Sequence, residues 1–148
     1  MSKLKICVAG ATGWAGSELS RGITNASDME LVAAISRRNA GKFLGEVLGI
    51  EGLATPIFGT VEDALKTSPD VFVEYTKQDA AKHHVLSALK SGAHVVVGTS
   101  GLSNEDYDEI NVVAKEVNRG VLAEGIFSQC SSRRIDEHST CVFMKFVR

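Results

Sequence analysis

The sequence predicts an α/β protein built on a doubly wound parallel sheet, and three observations predict it. Short apolar runs alternate along the chain with longer segments of helical periodicity. The runs are nearly continuous in apolar residues, as strands covered on both faces are. The first run ends on a glycine-rich turn that opens a helical pattern. Size and composition agree. The 148 residues are 44% apolar and 23% charged, which is ordinary for a globular chain and close to the roughly 150 residues of one domain.

Taken in order, the first strand runs from Leu4 to Ala9 and closes at Gly10, and the second from Leu31 to Ile35. The stretch from Asn39 to Gly59 holds five glycines and weak periodicity. It reads as a long, irregular connection with a short helix near Phe43 to Leu48. Thr60 and Asp63 open a short helix across Val61 to Lys66. The third strand is Val71 to Tyr75. Thr76 followed by Asp79 has capping-box spacing, and Ala81, Val85 and Leu89, four apart, form one apolar stripe. The fourth strand is His94 to Val97. Ser103 and Asp106 repeat the capping-box spacing, and Tyr107, Ile110, Ala114 and Val117 share a helix face. A weaker fifth strand is Val121 to Ala123. From Gln129 to Cys141 the periodicity is lost, and Val142 to Val147 is apolar again, either a short helix or a strand.

Several function classes are excluded or disfavoured. Sixteen Lys and Arg against eighteen Asp and Glu give a formal net charge of −2, with no broad electrostatic footprint for nucleic acid. No apolar run approaches the ~20 residues of a membrane span. Met1 to Lys5 leads only into the short run Ile6 to Ala9, without a secretory apolar segment. Cys7, Cys130 and Cys141 are too few and odd in number for a disulfide framework, so a reducing cytoplasm is the expected compartment. There is no internal repeat.

The run Gly10, Ala11, Thr12, Gly13, Trp14, Ala15, Gly16 carries the chemistry. A chain turning sharply from strand to helix needs a residue free to take positive φ, and Gly10 is one. Gly13 lets a phosphate approach the backbone, and Gly16 lets the helix pack closely on the strand. The N–H groups of the first helical turn, with the positive end of the helix dipole, then favour a pyrophosphate. This GxxGxxG spacing is a variant of the dinucleotide fingerprint. The competing reading is a glycine turn without a ligand. The second strand is followed by Ser36, Arg37 and Arg38 where NAD sites usually carry an acidic residue. Two guanidiniums can clamp a 2′-phosphate, each charge-assisted bond contributing ~1.5–3 kcal/mol. NADP is therefore expected over NAD, the alternative being an exposed basic pair on a solvated loop.

Two further segments sharpen the reading. Val97-Gly98-Thr99-Ser100-Gly101-Leu102-Ser103 follows the fourth strand, and Glu74-Tyr75-Thr76-Lys77 ends the third. With Gly10 to Gly16 and Asp28 to Ala34, they resemble the dihydrodipicolinate reductase family, the 4-hydroxy-tetrahydrodipicolinate reductases of lysine biosynthesis through diaminopimelate. Gly98-Thr99-Ser100-Gly101 is similar to the family's Gly-Thr-Thr-Gly, and Glu74-Tyr75-Thr76 to its Asp-Phe-Thr. The resemblance covers about residues 3–128.

The resemblance implies a Rossmann-like nucleotide-binding domain over residues 1–128 and an irregular tail over 129–148, without the family's second, substrate and tetramerisation domain. It implies that Gly10 through Ala15 wrap the pyrophosphate. Ser36 and Arg37 then lie at the adenosine ribose, and Tyr75 and Thr76 flank the cofactor. Gly98, Thr99 and Ser100 approach the nicotinamide, with Phe127 also at the site. It implies a nicotinamide dinucleotide as cofactor, which the arginine pair makes NADPH with NAD less expected, and hydride transfer to a small cyclic dicarboxylate. A homo-oligomer is allowed. Where the family has Asn-Phe-Ser, this chain has Ile126-Phe127-Ser128, and Ile has no side-chain hydrogen-bonding atom for the nicotinamide. The family's His-His-x-x-Lys-x-Asp-x-Pro-Ser-Gly-Thr segment has no counterpart, so a truncated or frame-disrupted copy with little activity of its own is expected. A non-catalytic NADP(H)-binding module, acting as a redox sensor or partner subunit, is the runner-up. A degenerate product that folds poorly is the third option.

Other residues read as structural. His83 and His84 are adjacent within a helix, where neighbours point about 100° apart at 3.6 residues per turn. His94 reads as an edge or loop residue and Cys7 as a small core hydrophobe. Cys130 lacks a positioned base for nucleophilic work, and Cys130, His138 and Cys141 lack a fourth zinc ligand. Trp14, at the mouth of the phosphate site, either covers the cofactor or packs on the surface.

Overall fold

The structure, a computed structural model, describes residues 2–123. Strand β1 (Leu4–Ala9) leads into α1 (Trp14–Asn25), then β2 (Met29–Ile35), α2 (Leu44–Leu48), β3 (Ile57–Phe58), α3 (Val61–Leu65) and β4 (Val71–Glu74). Helix α4 (Gln78–Lys90), β5 (His94–Val97), α5 (Asn104–Val117) and β6 (Val121–Ala123) follow. The six strands form one parallel sheet in the order β3-β2-β1-β4-β5-β6. The expected fold class is the observed one.

Alternation along the strands explains the two layers of helices. On one face Cys7, Ala9, Ile35, Phe72 and Val95 pack with Val61 and Ala64 of α3, Val85 and Leu89 of α4, and Ile110 and Ala114 of α5. On the other face Ile6, Val8, Leu31, Val71 and Val73 pack with Ile23 of α1 and Leu44 of α2. The stripe of Ala81, Val85 and Leu89 is fully buried. Ser103 caps α5 in a reciprocal box with Asp106, and Thr60 caps α3 through the Asp63 N–H.

Three expectations change. The irregular stretch contains β3, which pairs with Ala34 and Ile35 and forms one edge of the sheet. Two residues are too few to carry a strand period. Thr76 does not cap α4. The N-cap is Lys77, without a side-chain bond, and the Thr76 hydroxyl donates to Glu74 instead. His94 is not at an edge, because β5 lies between β4 and β6, and its Nδ1 accepts from the Gly120 N–H at 2.9 Å. Phe127, Cys130, His138, Cys141 and the 129–148 tail lie outside the described residues.

Candidate functional site

The sheet register assembles the site. Ile35, Ala9, Glu74 and Val97 stand in one row across β2, β1, β4 and β5. The next residue on each strand is Ser36, Gly10, Tyr75 and Gly98, so four segments singled out from sequence begin side by side at the carboxyl ends. The chain order turns back between β1 and β4, where an open α/β sheet places its crevice.

The glycine turn sits at the centre of that row. Gly10 has φ +79°, and a Cβ there would lie 2.5 Å from the Tyr75 carbonyl oxygen. A Cβ on Gly16 would lie 2.0 Å from the Gly10 carbonyl oxygen, so α1 starts as close to β1 as backbone allows. Gly13 is exposed, and a Cβ on it would meet only the Gly10 oxygen, at 3.3 Å. Its own N–H donates to that oxygen at 3.0 Å. Gly13 is the N-cap of α1 and has no side chain to cap it, and the first turn carries no acidic residue. The N–H groups of Trp14, Ala15 and Gly16 precede the first intrahelical bond, Ser17 to Gly13. Ala11 is buried and Trp14 is 91% exposed beside the turn.

On the β2 side, the Thr12 hydroxyl donates to Ser36 Oγ at 3.1 Å, which ties the glycine turn to the end of β2. Asn39 Nδ2 donates to the same oxygen at 3.4 Å. Arg37 and Arg38 are exposed on the turn that follows.

On the β4 and β5 side, a cleft of about 340 Å³ is lined by Tyr75, Thr76, Lys77, Gln78, Gly98, Thr99 and Ser100. The Tyr75 ring lies over Gly98. Thr99 is buried and donates from Oγ1 to the carbonyls of Thr76 at 2.8 Å and Glu74 at 3.2 Å, which fastens the two turns together. Gln78 reaches over Gly101, whose φ is +102°.

Sequence reasoning named five of the seven cleft residues and missed Lys77 and Gln78. It also missed Glu74 as a structural centre. The Glu74 carboxylate is wholly buried, accepts from the Thr76 N–H at 2.7 Å and from the Thr76 hydroxyl, and takes His84 Nδ1 at 2.8 Å. A carboxylate closing an apolar strand was the available signal, since a buried charge must be paired. Behind it, burial and then the Glu74 charge push the Cys7 thiol far above its ordinary range, so Cys7 is inert.

The cradle fits a pyrophosphate. Gly10 and Gly16 let the turn close tightly where a Cβ would strike the Tyr75 and Gly10 carbonyl oxygens, exposed Gly13 adds no side chain over the turn, and the start of α1 offers uncapped N–H groups with no acidic side chain in the first turn. Among the described residues, no group of His, Cys, Asp and Glu is arranged to hold a metal ion, and no helix is long and apolar enough to cross a membrane.

The comparisons with known proteins agree with this geometry. Residues 4–125 match the family described as dihydrodipicolinate reductase, N-terminus. The chain belongs to the dihydrodipicolinate reductase family. The 4-hydroxy-tetrahydrodipicolinate reductase of Thermosynechococcus vestitus is 33% identical over 130 residues, 84% of this chain and 47% of its own length. That of Desulfitobacterium hafniense is 34% identical over 122 residues, 81% and 46% respectively. The chain thus spans about half the length of these relatives. Among solved structures, a dipicolinate-bound dihydrodipicolinate reductase from Paenisporosarcina sp. TG-14 superposes with a TM-score of 0.72 at 24% identity, over 83% of this chain and 47% of the other. GenD2 from gentamicin A biosynthesis, in complex with NAD, gives 0.70 at 18% identity, over 86% and 36%. At these identities the two structures establish the shared fold.

Proposed function

We propose that this chain binds a nicotinamide dinucleotide, NADP(H) in preference to NAD(H), across the carboxyl ends of β2, β1, β4 and β5. In this reading it is the cofactor-holding part of a 4-hydroxy-tetrahydrodipicolinate reductase in lysine biosynthesis. One observation carries the reading: the Gly10–Gly16 cradle places the uncapped start of α1 at the crevice of a doubly wound sheet. Family membership supports it independently.

When bound, the nicotinamide supplies a hydride for a cyclic unsaturated dicarboxylate. The protein's own residues bind and orient. The turn from Gly10 through Ala15 wraps the pyrophosphate, and the N–H groups of Trp14, Ala15 and Gly16, which precede the first intrahelical bond, donate to it. Ser36 and Arg37 lie at the adenosine ribose, and no acidic side chain there repels a 2′-phosphate. Tyr75 and Thr76 flank the cofactor, and Gly98, Thr99 and Ser100 hold its nicotinamide end. Phe127, assigned by the resemblance, completes the set. Fixing these positions lowers the entropy cost of a reactive approach. The 148 residues carry no match to the family's His-His-x-x-Lys segment, so these residues alone bind cofactor and turn over little or no dicarboxylate.

Trp14, the lone tryptophan and 91% exposed beside the glycine turn, is the reporter for the test. Titration with NADPH is expected to change its fluorescence at lower concentration than NADH does. No fluorescence change and no heat of binding with either nucleotide would overturn the assignment.

A further inference from the structure

Among the described residues Glu74 is the one acidic or basic side chain that is fully buried. Its hydrogen bonds run in two directions only. One carboxylate oxygen takes the Thr76 N–H at 2.7 Å together with the Thr76 hydroxyl. The other takes His84 Nδ1 at 2.8 Å. A carboxylate only accepts, so His84 donates from Nδ1. His84 is itself held on α4: its side chain is 11% exposed and its ring meets Phe72 edge-on, with centroids 6.3 Å apart. From Thr76 the chain of bonds continues, because Thr99 Oγ1 donates to the Thr76 carbonyl at 2.8 Å. A path of hydrogen bonds therefore runs from α4, through the end of β4, to both turns that wall the 340 Å³ cleft.

Burying a carboxylate costs more than burying an apolar residue of similar volume. A strand end needing only to pack would not carry one. Here its direct bonds all end on His84 and on Thr76 at the cleft, so the cost is met by order at that wall. We propose that Glu74 and His84 are positioning residues for the nicotinamide half of the bound cofactor. His84 orients the Glu74 carboxylate, the carboxylate fixes the Thr76 peptide and hydroxyl, and Thr99 carries that order to the β5 turn. The adenine half lies on the other side of the glycine turn, at Ser36 and Arg37, and is outside this path. The inference rests on the cofactor reading above and deepens it.

The test separates the two halves of the ligand. Binding of NADPH and of adenosine 2′,5′-bisphosphate is measured by calorimetry on the wild-type chain and on His84→Leu, His84→Asn and Thr99→Val. Asn places an amide donor near the position of Nδ1, whereas Leu leaves the carboxylate without that partner. Thr99→Val breaks the last link without stranding a charge. H84L and T99V are each expected to weaken NADPH about tenfold while leaving the bisphosphate unchanged, and H84N is expected to restore NADPH binding. The Thr76 amide proton, bonded to a carboxylate at 2.7 Å, is expected to resonate downfield in the wild-type chain and to move upfield in H84L but not in H84N. Unchanged NADPH affinity in H84L overturns the proposal whatever T99V does, since Thr99 also stands at the nicotinamide itself, and equal weakening of both ligands overturns it too. If H84L does not fold, His84→Gln, whose longer arm carries its amide away from the position of Nδ1, decides in its place: weakened NADPH with unchanged bisphosphate upholds the proposal, and unchanged NADPH affinity overturns it. Wild-type chain that binds neither ligand overturns the cofactor reading and this inference with it. Wild-type chain that binds both equally tightly leaves the cofactor reading standing and overturns the positioning role alone.

Discussion

The ring of Tyr75 occupies the space that a side chain on Gly98 would need: an added Cβ would lie 2.2 Å from Cε1 and 2.5 Å from Cζ. The same residue presses its carbonyl oxygen against Gly10, at 2.5 Å from a Cβ there. Tyr75 thus bridges the glycine turn and the β5 turn with no slack on either side. Gly98→Ala is expected to push the ring off its seat, with an overpacking cost of about 1–3 kcal/mol, and to weaken NADPH through the displaced cleft wall. Urea unfolding and a nucleotide titration on one preparation check both effects. Wild-type values for the two would show that the ring yields freely.

Gly16→Ala is expected to be worse for the phosphate site. Its Cβ would sit 2.0 Å from the Gly10 carbonyl oxygen, and backbone cannot rotate away as a side chain can. Helix α1 must then move off β1, taking its uncapped N–H groups out of line. The expected loss is about 1–3 kcal/mol of stability with dinucleotide binding abolished. Calorimetry on folded variant, with folding confirmed by circular dichroism, is the check.

Arg37→Ala is expected to weaken NADPH about tenfold, one charge-assisted bond's worth, and to leave NADH unchanged. The contrast is also expected to shrink as salt rises, because Arg37 is exposed and screening acts on it. Equal losses for the two nucleotides in the fluorescence titration would reject Arg37 as a 2′-phosphate ligand.

Much of this site was legible because its signals are local. The Leu4–Ala9 strand, the glycine turn and the helix after it follow from three adjacent patterns, and the observed β1 has the expected bounds. Gly10 and Gly16 do what their positions imply, one by positive φ and one by close approach. The failures are places where a distant partner decides. Thr76-x-x-Asp79 has the same spacing as Ser103-x-x-Asp106, yet only Ser103 caps, because the buried Glu74 captures the Thr76 hydroxyl. His84 meets Glu74 only because α4 folds back over β4, and nothing in the helix repeat announces that crossing. Strand β3 exists because Ala34 and Ile35 need an outer neighbour, not because Ile57 and Phe58 carry a pattern.

The two cap readings part under mutation. Ser103→Ala removes a reciprocal box on a helix of 14 residues and is expected to cost about 1 kcal/mol. Thr76→Val removes no cap but takes a partner from the buried Glu74 carboxylate, so it is expected to cost about 1–3 kcal/mol of stability and to weaken nucleotide binding through the cleft wall as well. Urea midpoints and NADPH affinities for the pair check this, and a stability loss without an affinity change in Thr76→Val would contradict it.

His94 gives the fold a pH dependence of its own, at the end of β5 opposite the cleft. Its Nδ1 accepts from the Gly120 N–H at 2.9 Å, which helps set β6 beside β5. Burial, and then the Arg119 charge, hold the imidazole below its ordinary value of 6.5, with Asp70 opposing. Protonation would place a donor against the Gly120 donor. Between the lowered folded value and 6.5 the unfolded chain binds more protons, so stability rises with pH in that window and falls as pH drops below about 6.5. Asp63, Glu62 and Asp106 are held below ordinary carboxylate values, so their contribution is lost in a separate, more acidic window. His94→Asn keeps an acceptor oxygen near the position of Nδ1 and does not titrate. Unfolding free energy measured between pH 8 and pH 5, about the ordinary imidazole range, is expected to fall with acid in the wild-type chain and to stay flatter in His94→Asn. Identical slopes for the two would assign the acid sensitivity to other groups.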